Sequence, residues 1–400
     1  MDFYLQYGHN MSPLCRELIG RWGGGTVVLS PRDLERNQLC SLAKEITAQG
    51  GRTLLDPQIY NPRANHPRLA GHDYFPKEYQ TNLLTDGASA RSWMTLLREL
   101  NADARTFAYI LPGYYCQRVD ELWLGVQELL IDTAASVMND KPCWATICLS
   151  AEALRFEDQF ELLLSRAESW NVQGYYVVVE HPQGQYLVDD PLWMANLLLF
   201  TSGLKLQGRS VVVGYAAPQN LCLVAANVDA IASGSFINVR SFSPNRFDEP
   251  DLGPSRRARW WYYCPQSLSE YTTVFMDVAF QAGIIEQFKP DPIIGDAYAG
   301  LLFSGALPSS TAWSEKYAQR HYLHSLHSQA TTARRATFQE TLDAQFLLLK
   351  TAERYVEFFH RNHVYGQKRD FENMVDVNRS ALGILEKERG FALSQEWSNR

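Results

Sequence analysis

Short apolar runs punctuate the chain, most of them spaced so that a helix fits before the next. They fall at Phe3–Tyr7, Thr26–Ser30, Thr53–Asp56, Thr106–Leu111, Ala145–Ser150, Tyr175–Glu180, Ser210–Tyr215 and Ala230–Phe236. Runs of this length, rich in β-branched and aromatic residues, predict buried strands. Amphipathic stretches with a helical period lie between them, at Arg32–Gln49, Ser89–Asn101, Arg118–Asn139, Ala151–Ser169, Pro191–Leu206 and Pro218–Asn227. Alternation of strand and helix implies an α/β fold with a parallel sheet. Eight strands predict closure into a (β/α)8 TIM-like barrel, with a doubly wound open sheet as the other arrangement the pattern allows.

One connection, residues 57–88, is too long for an ordinary strand-to-helix loop. It carries His66, His72, Tyr74, Phe75 and Tyr79, and long loops inside compact domains usually bind or cover something. A polar, proline-rich passage from Ser241 to Ser255 leads into Arg256-Arg-Ala-Arg-Trp-Trp-Tyr-Tyr-Cys264. From Leu268 onward the period is helical, most strongly at Ser314–Ala333, Phe338–Asn362 and Phe371–Arg389. The expected organisation is a catalytic barrel over 1–242, then a basic-aromatic segment and a C-terminal helical appendage packed on the barrel over 243–400.

The 400 residues are enough for a large core, and a 46% hydrophobic, 20% charged composition is that of an ordinary globular protein. No apolar run has the length of a membrane span. The opening Met1-Asp-Phe-Tyr-Leu-Gln lacks the basic-then-apolar order of a signal peptide, so a cytoplasmic location is expected. Seven scattered cysteines with no CxxC pair point to reduced, buried thiols rather than a disulfide framework or a zinc site. His321, His324 and His327 share a helical spacing but lack acidic or thiol neighbours, so no metal is expected. Gly23-Gly-Gly25 precedes a strand and lacks the Lys-Ser/Thr of a phosphate loop, which makes it a turn and leaves no cofactor fingerprint. A net charge of −7 argues against indiscriminate nucleic-acid binding while leaving room for a local basic patch.

Asp56 is the first candidate for chemistry. It stands where a strand stops, because Pro57 cannot continue the ladder, and barrels of this kind carry their chemistry at strand C-termini. Glu180 ends the apolar Tyr175–Val179 run, a setting that favours a raised pKa and hence an acid or base role. Gln58, Tyr60, His181 and Tyr215 adjoin these strand ends, and His9 follows the first strand, so all five are candidate substrate contacts. Ser233 and Ser235 are suited to hydrogen-bonding a phosphate or sugar or to filling the barrel, and Arg240 to a phosphate contact or an ion pair. Asp229 precedes its strand and is expected at the opposite end, in a structural role. Arg256, Arg257 and Arg259 beside Trp260 and Trp261 suit a nucleic-acid groove, where cations meet phosphates and rings stack on bases. An amphipathic strand with its rings packed inward fits the same residues.

The order of these pieces resembles the tRNA-guanine transglycosylase family. The likeness covers roughly residues 1–242 and rests on Leu54-Leu-Asp56-Pro-Gln-Ile-Tyr60, Val211-Val-Val-Gly-Tyr-Ala-Ala-Pro-Gln219, Ala225-Ala-Asn-Val-Asp-Ala230 and Val239-Arg-Ser241. Two departures stand out. The family's nucleophilic Asp should fall near Ala232 or Ser233, where there is no carboxylate, and its three-Cys, one-His zinc site is absent, Cys264 standing alone in that region. The Phe3-Tyr-Leu-Gln-Tyr-Gly8 opening, Leu29-Ser-Pro-Arg-Asp33 and Glu180-His-Pro182 look like the phage-defence DNA glycosylases related to that family. That resemblance implies hydrolysis of the base–sugar bond of glucosylated hydroxymethylcytosine in phage DNA, leaving an abasic site. Asp56 and Glu180 would be the catalytic carboxylates, acting on a flipped base. A base-exchanging transglycosylase acting on DNA or tRNA, a non-catalytic module recognising modified nucleic acid, and a hydrolase of small nucleosides are the alternatives.

Overall fold

Eight parallel strands make the centre of the computed structural model, which describes residues 1–61, 66–76, 86–248, 260–292, 294 and 297–398. They are β1 (Asp2–Gln6), β2 (Gly25–Leu29), β3 (Gly51–Leu55), β4 (Tyr109–Ile110), β5 (Cys143–Leu149), β6 (Gly174–Val179), β7 (Ser210–Val213) and β8 (Ala230–Ser233). The ladder runs β3-β2-β1-β8-β7-β6-β5-β4. Its two ends meet where the Phe107 N–H donates to the Thr53 carbonyl at 3.1 Å, and the sheet becomes a TIM-like barrel. Every residue of β5 and β6 is buried, as expected of strands covered by side chains inside and helices outside. The Thr106–Leu111 run contributes only Tyr109–Ile110 as strand.

The helices over the first part of the chain are α1 (Ser12–Trp22), α2 (Arg36–Ala48), α3 (Pro67–Ala70), α4 (Gly87–Asp103), α5 (Glu121–Val137), α6 (Ala151–Arg155), α7 (Glu157–Ala167) and α8 (Pro191–Leu206). Asp86, Asp120 and Asp190 cap α4, α5 and α8 by accepting N–H bonds from the first turns. Helix α1, absent from the pattern set out above, buries Leu14, Cys15, Leu18 and Ile19 and ends at Gly23 in the left-handed region. The stretch at Ala151–Ser169 is broken by the extended backbone of Phe156, and Pro218–Val224 is a 3-10 segment rather than an α-helix.

Beyond β8 the helical reading needs correction. Trp261–Cys264 (β9) and Ser269–Thr272 (β10) form an antiparallel hairpin, followed by α9 (Thr273–Gln281), α10 (Glu315–Ala333), α11 (Phe338–Arg361) and α12 (Glu372–Ser398). Helix α10 packs against β1, α1 and the Pro218–Val224 segment, the position of the eighth helix of a barrel. Its Tyr322, Leu323 and Leu326 belong to the same hydrophobic core as the strands. Helix α12 lies on α8, which is why α8 is apolar almost all round. Among the described residues no helix is long and apolar enough to cross a membrane.

Candidate active site

Asp56 extends β3 by one residue, its N–H donating to the Leu29 carbonyl of β2 at 3.1 Å, and its side chain is wholly buried at the C-terminal end of the barrel. One carboxylate oxygen accepts the Gln58 N–H at 3.0 Å. The other accepts phenol hydroxyls from Tyr60 at 2.8 Å, Tyr215 at 3.1 Å and Tyr176 at 3.4 Å. Tyr176 (β6) also donates to Gln6 Oε1 (β1) at 2.8 Å, a bond that crosses the barrel interior because two strands separate β6 from β1 in the ladder. Gly214 makes room for this phenol, since a Cβ there would lie 2.4 Å from the Tyr176 hydroxyl.

Burial lifts the Asp56 carboxyl to about 6, and the four hydrogen bonds, Tyr60's foremost, hold it from rising further. The three phenols are pushed well above their usual range by burial and then by Asp56 itself, so they stay protonated as donors. Gln58 and Tyr215 both adopt left-handed backbone, φ 56° each, which aims their donors at the carboxylate. Side chains held in that region are uncommon and cluster at functional sites.

Aromatic rings close the mouth above this cage. Tyr60 packs edge-on to Phe242 and Phe247, with centroids 5.0 and 4.9 Å away, and Tyr215 meets Phe242 at 5.3 Å. Phe242 and Phe247 come from the proline-rich passage after β8, and Phe242 forms a parallel bridge with Glu180 beyond the end of β6. Tyr60, Tyr215, Phe242 and Phe247 are each at most 2% exposed.

The remaining predicted residues take varied places. Glu180 follows β6, is half-buried, and receives the Tyr115 hydroxyl and, at 3.2 Å, the Ala151 N–H at the start of α6. His181 is buried against Trp193, with Nδ1 facing the Gln185 carbonyl at 3.0 Å, and burial lowers it to about 4, so it is neutral at pH 7. His9 is exposed beside an open cleft of about 600 Å³ that also receives Tyr7, Arg16, Asn37 and Arg68. Ser233 ends β8, fully buried, with its hydroxyl 3.4 Å from that of Tyr322.

Of the two roles open to Arg240 from sequence, it takes the buried ion pair and not the phosphate contact. It lies 3.3 Å from Glu270, donates to the Gly234 and Ser235 carbonyls and stacks 3.3 Å from the Tyr322 ring centre. Arg369 reaches the same Glu270 at 2.7 Å and covers Trp261. Trp261 thus packs on the hairpin side of this cluster, and half-buried Trp260 lines a small cavity beside it. Arg256, Arg257 and Arg259 lie outside the described residues. Asp229 bonds Lys205 at 2.7 Å at the opposite end of the barrel.

His321 stacks on Tyr262, His327 stacks on Trp22, and His324 accepts the Trp22 indole N–H, so the histidine row packs α10 in place. No group of three metal-ligating side chains occurs among the described residues. All seven cysteines are free thiols.

Sequence reasoning missed Gln6, Tyr115, Tyr176, Phe242 and Phe247. A glutamine and a phenol inside apolar strands carry a signal, because a buried polar group demands a partner. The two phenylalanines carry none within a passage that reads as a polar loop.

No protein-family model matches the chain, and no curated protein matches it in sequence. Among solved structures it is similar to D-psicose 3-epimerase in the presence of D-fructose, with 8% identity and a TM-score of 0.30 over 53% of this chain and 84% of that one. It is also similar to the carboxyl transferase domain of Rhizobium etli pyruvate carboxylase with pyruvate, with 12% identity and a TM-score of 0.36. That match takes in 100% of this chain but 61% of the other, so the chain spans under two thirds of its length. Likenesses this distant say nothing about substrate.

Proposed function

We propose that this chain is a DNA glycosylase that hydrolyses the bond between a modified cytosine and its deoxyribose, the glucosylated hydroxymethyl base of phage DNA being the substrate. The observation that carries the reading is Asp56, a wholly buried carboxylate at the chemically active end of the barrel, lifted to about 6 and ringed by phenol donors. At neutral pH it is mostly ionised. A carboxylate so placed stabilises the positive charge that develops on a sugar as its base departs. The C1′–N1 bond breaks with its electron pair leaving on the base, water adds to C1′, and the water's proton passes to Asp56.

Rings of Tyr60, Tyr215, Phe242 and Phe247 above the carboxylate offer apolar faces to a flipped base once the passage carrying Phe242 and Phe247 moves aside. Hydrolysis is favoured over base exchange because β8 ends in Ser233, hydrogen-bonded to Tyr322, where exchange would need a second nucleophilic carboxylate. Glu180, tied to Tyr115 and the start of α6, is read as a support for the mouth.

The test uses one duplex carrying glucosylated hydroxymethylcytosine and one carrying plain cytosine, scored for released base and alkali-labile breaks. Breaks confined to the modified duplex and lost in Asp56→Asn are expected. Tight binding without release would favour a recognition module, and incorporation of a free base would favour exchange.

A further inference from the structure

Two arginines and a histidine near the mouth have no carboxylate within ion-pair distance among the described residues, and the site already described does not use them. Arg32 follows β2, and its backbone N–H donates to Gln58 Oε1 at 2.9 Å, which ties it to the residue bonded to Asp56. Its guanidinium carbon lies 5.6 Å from the Phe247 ring centre, and its Nε is buried with no hydrogen-bond partner among the described residues. Arg246 is the residue before Phe247 and donates to the Ser241 carbonyl and, at 3.3 Å, to the Ser241 hydroxyl. Among the described residues no carboxylate pairs with either arginine. Burial and then the nearby Arg32 hold the Arg246 guanidinium below its usual range. His66, only 6% exposed, has a buried Nδ1 that likewise lacks a partner among the described residues. Burial and then Arg32 lower its pKa, Arg68 adds to this, and Asp33 opposes it.

Buried polar atoms without partners and like charges held close are unfavourable, and a bound group that supplies acceptors and negative charge relieves both. An anionic group rich in acceptors suits two guanidiniums that no described carboxylate pairs. A phosphate oxygen pair fits, because guanidinium forks match it. We propose that Arg32, Arg246 and His66 form a phosphate-binding site at the barrel rim, which seats the backbone phosphodiester of the nucleotide whose sugar lies over Asp56. Naming the ligand a nucleic-acid phosphodiester rests on the glycosylase reading; the anion site itself rests on the side chains. Phe247 links the two, lying against Arg32 on one side and 4.9 Å from the Tyr60 ring on the other, with the Tyr60 hydroxyl on Asp56. One nucleotide would thus present its phosphate at the rim and its C1′ in the cage.

The experiment titrates the full-length protein with inorganic phosphate, with dCMP and with a short unmodified single-stranded DNA, none of which needs a base to be released. Wild type is compared with Arg32→Gln, Arg246→Gln and, as a control for general charge, the exposed Arg361→Gln. Thermal melting verifies that each variant is folded, and Arg246→Lys keeps the charge if the glutamine variant does not fold. The site predicts that phosphate and DNA bind wild type and that each glutamine variant weakens both by roughly tenfold. It also predicts a salt slope of DNA binding shallower by about one per arginine removed, with Arg361→Gln unchanged. Equal binding by wild type and both variants, or no binding of any probe, would overturn the site. Binding of dCMP without binding of DNA would overturn its assignment to a phosphodiester. If the variants behave as predicted while no glucosylated base is ever released, the site stands and the glycosylase reading falls. Base release that depends on Asp56 but not on the arginines gives the reverse.

Discussion

Asp56 is held against its own ionisation. Its carboxyl is near 4 in an unfolded chain and about 6 in the fold, so the folded protein binds the proton more tightly. The stability that comes with protonation is present below pH 4 and is lost as pH rises through 6. Above that the ionised group costs about 2–3 kcal/mol. Asp56→Asn is therefore expected to be more stable than wild type at pH 7, with the gap closing toward pH 4–5; urea denaturation at the two pH values checks this. An unchanged or lower stability at pH 7 would mean the cage compensates the charge fully. Tyr60 donates the shortest of the phenol bonds, so Tyr60→Phe is expected to raise the Asp56 pKa by up to about one unit. NMR titration of the carboxyl would read that shift. Asp56, Tyr60, Gln58 and Tyr215 could be picked from sequence because they adjoin the ends of apolar runs. Tyr176 and Gln6 signal only that a buried partner exists, because they act from inside strands whose inward and outward faces look alike when both are buried, which hides that the partners are each other and Asp56.

At the level of strands and helices, the apolar runs predict the barrel well, since strands buried on both faces need no alternation to be seen. Helix α1 is short and framed by Pro13 and the Gly23–Gly25 turn, which disguise a clear helical set of Leu14, Cys15, Leu18 and Ile19. Strand β10 is hidden differently. Its Glu270 reads as a surface charge, yet it is buried between Arg240 and Arg369, which hold it below the usual carboxylate range despite that burial. Glu270→Gln leaves two buried cations without their shared anion and is expected to cost about 3–5 kcal/mol, measured by urea denaturation. A loss under about 1 kcal/mol would show that Arg240's bonds to Gly234 and Ser235 suffice.

Across the whole molecule, the larger hydrophobic core among the described residues joins the strands to α10, α11 and α12, and a smaller second core gathers the hairpin, α9 and the end of α11. Helix α10 stands where the barrel's eighth helix belongs, although it follows β8 only after the hairpin and α9. Residues 1–242 alone would expose the face of β1 that α10 covers. That fragment is expected to be insoluble or to lack a cooperative melt by circular dichroism, whereas a sharp transition would make the barrel an independent unit. The same arrangement returns the passage bearing Phe242 and Phe247 across the mouth before the chain reaches its last helices. Sequence order alone could not reveal this, because the passage is held by contacts far away in sequence, the Phe242 bridge to Glu180 and the rings of Phe242 and Phe247 against Tyr60.

The deciding measurement is the single-turnover rate of base release from a glucosylated-hydroxymethylcytosine duplex as a function of pH, for wild type and Asp56→Asn. A rate that climbs between pH 5 and 7 with an apparent pKa near 6, and falls by about 100- to 1,000-fold in the variant, is predicted. A pH-independent rate, a variant within tenfold of wild type, or no base released at any pH would contradict Asp56 as the ionised carboxylate that drives hydrolysis.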